Sequence, residues 1–315
     1  MRHRHPPSIK PKALRKGATI SLFSPASPGT QANLAAGISE LERLGFVVNP
    51  PSSLEPVGYF AGTREERMME FVRALQKKEI DGLIATRGGY GSSHFFDNKF
   101  NSRLTGPKCI IGFSDLTALQ IFVWQIRQWV AFYGPMAAAG FHAGAGQASG
   151  YDSGSFLQAV QTTSGGWTIP LEGETLVSGK AEGRILGGCL TLLETTLGTG
   201  WELDTRDSIL VLEDRGMKPY QVDRALLHLF QAGKFHEVRG IILGDFPDSD
   251  TPKQGGPTVR EVCENILLPL EIPLVFGAPI GHTSRPMLTL PLGVQAKLVA
   301  SGAGNLEIQE AAVLP

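Results

Sequence analysis

The sequence predicts an α/β protein: an N-terminal, doubly wound, mostly parallel sheet, then a second, C-terminal α/β domain rich in strands. Three observations carry this. Short apolar runs alternate with amphipathic stretches from Ala18 to Tyr133, the pattern of βαβ units. These runs end in turns rich in glycine or proline. The texture then changes, and a second alternation starts after about Lys180 and closes in a tail of glycine and proline turns. At 315 residues the chain can hold two domains or one large one.

Ala18–Phe23 reads as a first buried strand, stopped by Ser24–Gly29. An amphipathic helix over about Gln31–Leu44 and a short strand at Phe46–Val48 follow. Arg64–Lys77 is a second helix, with Met68, Phe71, Val72 and Leu75 on one face. Asp81–Thr86 is a strand leading into Arg87–Gly91. Cys109–Gly112 is the next strand, Leu116–Gln128 its helix, and Trp129–Tyr133 closes the set. Between Ala137 and Gly166 glycine, alanine and serine crowd together and periodicity fades. Beyond it, Arg184–Gly188 leads to a helix through Leu197, Ser208–Glu213 is a strand, Tyr220–Ala232 a helix and Arg239–Gly244 a strand. From Leu274 the tail is strand-rich. The expected organisation is a flexible leader at 1–16, a first domain at 17–140, a linker or substrate-covering segment at 141–180 and a second domain at 181–315.

Composition excludes several classes. A formal net charge of -1 gives no basic excess for nucleic acid. No apolar run approaches the roughly 20 residues of a membrane span. Met1–Pro7 is basic and proline-containing, without the apolar core of a secretory signal. Three widely spaced cysteines, Cys109, Cys189 and Cys263, suggest reduced thiols in a cytoplasmic protein. No CxxC or HExxH pairing occurs, so no zinc site and no cofactor are expected.

Chemistry concentrates at strand ends. Ser114 follows the apolar run Cys109–Gly112 at a tight turn into a helix. A serine there projects its hydroxyl beside the N–H groups of the helix start, a nucleophile geometry. The second glycine of a G-x-S-x-G elbow is absent, since Leu116 stands in its place. The competing reading is a serine that caps the helix. Glu213 ends the run Ile209–Leu212, at a strand end where ligands gather in open α/β sheets; Asp214 is its rival. His282 lies in the constrained loop Gly277–Ser284 and suits a general base, with His94 and His142 as weaker candidates. Arg87–Gly91 is a glycine turn whose N–H groups can meet an anion or oxyanion. Two rivals remain: a non-catalytic anion-binding α/β protein, in which Ser114, Glu213 and His282 lie far apart, and a cysteine hydrolase using Cys189.

The chain resembles the LD-carboxypeptidase family, serine peptidases of the S66 type. Arg87–Gly91, Gly112–Ala118, Gly187–Gly188, Leu212–Asp214, Val222–Arg224, Gly281–His282 and Leu290–Gly293 carry the resemblance, in the family's order and over nearly the whole chain. The resemblance implies Ser114 as nucleophile, Glu213 as acid, His282 as base, and an oxyanion hole from the N–H groups of Asp115 and Gly89. It implies a cytoplasmic homodimer without a metal that cuts the L,D-amide releasing D-alanine from a murein tetrapeptide. A sister branch resembles microcin C immunity proteins, which cleave a peptidyl-nucleotide antibiotic and stack its base on aromatic side chains; Trp167 is the candidate here. Arg87 and Arg285 are the expected holders of a terminal carboxylate. Two departures stand out: Tyr133 where the family often has histidine before Gly-Pro, and Cys189 where it often has asparagine. Both are expected to alter the substrate pocket and neither to touch the triad.

Overall fold

The computed structural model describes residues 6–249 and 255–315. In chain order its elements are β1 (Thr19–Phe23), α1 (Gln31–Arg43), β2 (Val47–Asn49), α2 (Arg64–Gln76), β3 (Gly82–Ala85), α3 (Asn98–Ser102), β4 (Cys109–Gly112), α4 (Leu116–Arg127) and β5 (Ala131–Tyr133). Next come α5 (Ser153–Gln161), β6 (Trp167–Pro170), β7 (Glu174–Val177), β8 (Gly179–Cys189), α6 (Leu190–Glu194), β9 (Ser208–Glu213), α7 (Pro219–Gln231) and β10 (Gly240–Leu243). The chain closes with α8 (Val259–Leu267), β11 (Leu274–Phe276), β12 (Leu290–Leu292), β13 (Gln295–Ala300) and β14 (Asn305–Ile308).

Two sheets result. The first runs β12-β5-β4-β3-β1-β2 and is parallel except for β12. Every residue of β3 and β4 is buried, as befits parallel strands covered on both faces. The second runs β6-β14-β13-β8-β9-β10-β11-β7, with a parallel centre from β8 to β11 and antiparallel strands outside it. This is the mixed α/β architecture the alternation predicts, with the parallel sheet first and the strand-rich sheet second.

Local chemistry explains the helix starts. Thr63 and Glu66 form a capping box on α2, and Thr258 and Glu261 form one on α8. Gln120 of α4 reaches back to donate to the carbonyls of Gly112 and Phe132, at 2.9 Å each, and so ties the ends of β4 and β5 to the helix between them.

The structure revises several sequence boundaries. Residues 1–5 of the expected leader lie outside the described residues. Its second half is not free: Ile9 pairs with Trp129, Lys12 with Leu314, and Leu14 is fully buried. The apolar side chain of Leu14 lies over Gly82 of β3, where no Cβ intervenes. The segment at 141–180 is no simple linker, because it holds α5 and the two outermost strands of the second sheet. The tail also returns to the first sheet, with Leu290 of β12 opposite Tyr133 of β5.

One continuous hydrophobic core joins the sheets, from Phe23, Ile84 and Ile111 to Ile185, Val275 and Leu298. A smaller cluster lies under α6, α7 and α8. No helix among the described residues is long and apolar enough to cross a membrane.

Candidate active site

The carboxyl ends of β4 and β9 face one cavity of about 270 Å³. Arg87, Gly88, Gly89, Phe113, Ser114, Met136, Ala139, Arg215 and His282 line it. A larger neighbouring chamber of about 400 Å³ shares Phe113, Ala139, Arg215 and His282 and adds His142, Ser149, Asp248 and Thr283. Ser114 and His282, which the anion-binding reading sets far apart, line the same cavity.

Ser114 sits at the β4–α4 turn with φ of 62°, left-handed backbone that non-glycine residues rarely adopt. Gly112 makes the turn possible: a Cβ there would lie 2.4 Å from Leu116 Cδ2. Leu116 thus occupies the space that the missing second glycine would have left, and Gly112 supplies the room. The N-cap of α4 is Asp115, whose side chain makes no capping bond. The Ser114 carbonyl accepts from Thr117 N at 2.9 Å and begins the helix ladder.

The glycine turn is folded against this serine. A Cβ on Gly88 would come within 2.8 Å of Ser114 Oγ. The Gly88 carbonyl accepts from Ser27 N at 3.2 Å. In a trans peptide the next N–H points the opposite way, so Gly89 N–H is turned from Ser27. A Cβ on Gly89, whose φ is 111°, would collide with Ser27 Oγ at 2.3 Å.

Asp115 holds the far end of the turn. Its carboxylate accepts from Gly91 N at 3.1 Å and Ser92 N at 2.8 Å, and its carbonyl accepts from Ser92 Oγ at 2.7 Å. Burial pushes its pKa up, against these bonds and the nearby Arg67. The fully buried Arg67 donates to the carbonyls of Pro25, Gly62 and Gly91, stitching the same turn from behind.

Glu213 ends β9 and is fully buried. Its Oε2 accepts from both His282 N and His282 Nδ1 at 2.9 Å. Its Oε1 accepts from the Tyr133 hydroxyl. Gly281 permits this closeness: a Cβ there would lie 2.4 Å from the Glu213 carboxyl carbon. The Phe113 ring packs edge-on against the His282 ring at 5.0 Å. Burial draws the His282 pKa down, but the Glu213 carboxylate outweighs it, and the net shift is upward.

The two strand-end acids have different partners. The Asp214 carboxylate accepts from Thr191 N at 2.8 Å, Arg215 N at 2.7 Å and the Cys189 thiol at 3.4 Å, so it serves the start of α6. Glu213 is the partner of His282. The same contacts weigh against the cysteine reading: burial, then Asp214, push the Cys189 thiol well above its usual range.

Three expectations change. Arg285 is committed elsewhere, donating to Asp245 at 2.6 Å and to the carbonyls of Gly277 and Glu172; it lines neither chamber. Trp167 is buried on β6 opposite Ile308 and is absent from both walls. Tyr133, expected to stand clear of the triad, touches Glu213 directly. Arg87 does line the cavity, and its guanidinium donates to the Pro28 carbonyl at 2.9 Å. His142 lines only the larger chamber, while His94 packs with Tyr90 at 3.2 Å. Sequence reasoning missed Arg215, which borders both chambers and pairs with Asp248 at 2.8 Å. Its only sequence signal is its place just beyond a strand-end acid pair.

Comparison with known proteins agrees with this layout. The family described as LD-carboxypeptidase N-terminal domain matches residues 20–134, and LD-carboxypeptidase C-terminal domain matches residues 182–298. The probable murein peptide carboxypeptidase of Bacillus subtilis is 34% identical over 92% of both chains. The microcin C7 self-immunity protein MccF of Escherichia coli is 30% identical over 92% of both. A solved structure of MccF in complex with glutamyl sulfamoyl guanosine superposes with a TM-score of 0.84 at 26% identity, covering 97% of this chain and 99% of that one. The muramoyltetrapeptide carboxypeptidase from Oxalobacter formigenes gives 0.81 at 26% identity, covering 95% and 100%. With both halves of the family pattern spanning the strands that bear Ser114 and Glu213, the chain belongs to the LD-carboxypeptidase family.

Proposed function

We propose that this chain is a serine peptidase that removes terminal D-alanine from murein tetrapeptides by cutting the L,D-amide bond. The observation that supports this most is a serine in left-handed backbone lining the same cavity as His282, whose imidazole is paired with the buried Glu213. In this mechanism His282, oriented by Glu213, takes the Ser114 proton as Oγ attacks the amide carbonyl. The oxyanion is met by Asp115 N–H and Gly89 N–H; removing one such donor typically costs roughly 10²–10³ in rate. His282 returns the proton to the departing amine of D-alanine, and water, activated by the same imidazole, then frees the acyl group. Arg87 and Arg215 flank the reacting centre, and a guanidinium there suits the substrate's terminal carboxylate.

The test is Ser114→Ala, assayed by mass spectrometry on murein peptides that differ at the third and fourth residues. Loss of D-alanine release by roughly 10⁴-fold or more is expected; unchanged turnover would sink the assignment. The likeness to MccF supports a second reading, hydrolysis of a peptidyl-nucleotide. The burial of Trp167 removes the stacking residue proposed for it, and a peptidyl-adenylate mimic in the same assay separates the two.

A further inference from the structure

Three strand ends from both sheets and the first turn of one helix meet behind the catalytic pair. Tyr133 closes β5, Cys189 closes β8, Glu213 closes β9, and Thr117 lies in the first turn of α4 beyond β4. The backbone N–H of Cys189 donates to Thr117 Oγ1 at 3.1 Å. The Tyr133 hydroxyl donates to Glu213 Oε1, so a short chain of polar side chains stands behind the carboxylate. Burial pushes the Tyr133 phenol far above its ordinary pKa, so it keeps its proton and acts as a donor. Gly188 leaves room for this chain: a Cβ there would lie 2.8 Å from Thr117 and 2.9 Å from the Tyr133 ring.

The carboxylate is fully buried and has two oxygens to satisfy. One takes both His282 contacts at 2.9 Å, while Nδ1 reaches the other only at 3.2 Å. Without Tyr133, Oε1 would keep only that long contact, and the carboxylate would be free to turn toward the imidazole. We propose that Tyr133 is a positioning residue: its hydroxyl fixes the rotation of the Glu213 carboxylate and draws off part of its charge, which sets how tightly His282 holds its proton. The charged groups around His282 are Glu213, Asp214 and Arg215, and Cys189 stands behind the pair as a neutral thiol. Among these contacts, Tyr133 is the neutral donor able to adjust Glu213 without touching substrate. This inference rests on the reading of Ser114 and His282 as nucleophile and base.

The experiment compares Tyr133→Phe with replacement of Tyr133 by difluorotyrosine. The first deletes the donor, and the second keeps the shape and strengthens donation. In Tyr133→Phe, kcat is expected to fall roughly tenfold with KM unchanged, the scale of one hydrogen bond to a charged group. The acid limb of kcat/KM, and the His282 imidazole titration followed by NMR, are expected to rise by about half a pH unit, because a less satisfied carboxylate holds the imidazolium more tightly. Difluorotyrosine is expected to move both the other way; it also serves if the phenylalanine variant does not fold. A merely structural tyrosine would lower stability and leave the titration where it is. An unmoved titration in the difluorotyrosine protein overturns the proposal. Ser114→Ala that keeps its turnover overturns the underlying reading instead, and the NMR titration, which needs no substrate, tells the two failures apart.

Discussion

Gly281 carries no side chain because Glu213 already fills the space where one would stand. Its φ of 62° and the 2.4 Å approach to the carboxyl carbon make Gly281→Ala a direct probe of that fit. Either the loop retreats and His282 parts from Glu213, or the carboxylate turns. Activity is expected to drop by about 10²-fold or more, the scale for misplacing a catalytic group by an ångström, with D-alanine release as the measure. His282 makes a second prediction. Its pKa lies above the ordinary value of 6.5 through Glu213, so the working, neutral base appears only above that pH, and kcat/KM should fall as pH drops through the raised value. The same shift favours the folded state at low pH. Its stabilisation is fully present below about 6.5 and is lost as pH rises through the folded value. Activity should therefore climb over the window in which this contribution to stability declines. A pH–rate profile beside urea midpoints at matched pH checks both; a flat rate from about pH 5 to 8 would count against the base.

At the scale of the element, the turn from β4 to α4 holds Ser114, the proposed nucleophile, in left-handed backbone. Left-handed backbone costs a non-glycine residue roughly 1–2 kcal/mol, and alanine would inherit that cost. Ser114→Gly should then be about 1 kcal/mol more stable than Ser114→Ala, and both are expected to be inactive. Equal denaturation midpoints would show that the turn stores no strain. This element was half legible in the sequence. An apolar run stopped by glycine announced the strand, and a serine after it announced the turn. Nothing in the local sequence announced that Leu116 would fill the place of the elbow's second glycine, because that substitution works through the volume Gly112 gives up. The Glu213–Asp214 ambiguity was similar. Glu213 ends the strand and Asp214 follows it directly, and only the neighbouring strand and helix decide which one faces His282. Tyr133 stood out in the sequence but its contact with Glu213 did not, and Arg215 escaped notice, because their partners lie far away in the chain. The helix α8 could have been read, since Thr258 and Glu261 carry the capping-box spacing.

Across the whole molecule, the N-terminal segment is a working part of the core. Leu14 is fully buried against Gly82, and the backbone on either side pairs with Trp129 and Leu314. Leu14→Ala should cost roughly 2–5 kcal/mol. Because one core spans both sheets, near- and far-UV signals should shift together in urea as a single transition. A midpoint unchanged by the substitution would restore the flexible-leader reading. Alternation of strands and helices conveyed both sheets from sequence, but not the return of β12, because three residues of tail carry no signal of which sheet they will join.

That return has a consequence for inheritance. The stretch matching the family's N-terminal half ends at Gly134, yet the strand that covers β5 lies near the far end of the chain, beyond the histidine loop. A gene cut between the halves would leave β5 with an open edge and leave the histidine loop anchored on one side only. The two halves are thus poor currency for recombination: swapped between distant relatives, the first would arrive missing the strand that the second had kept.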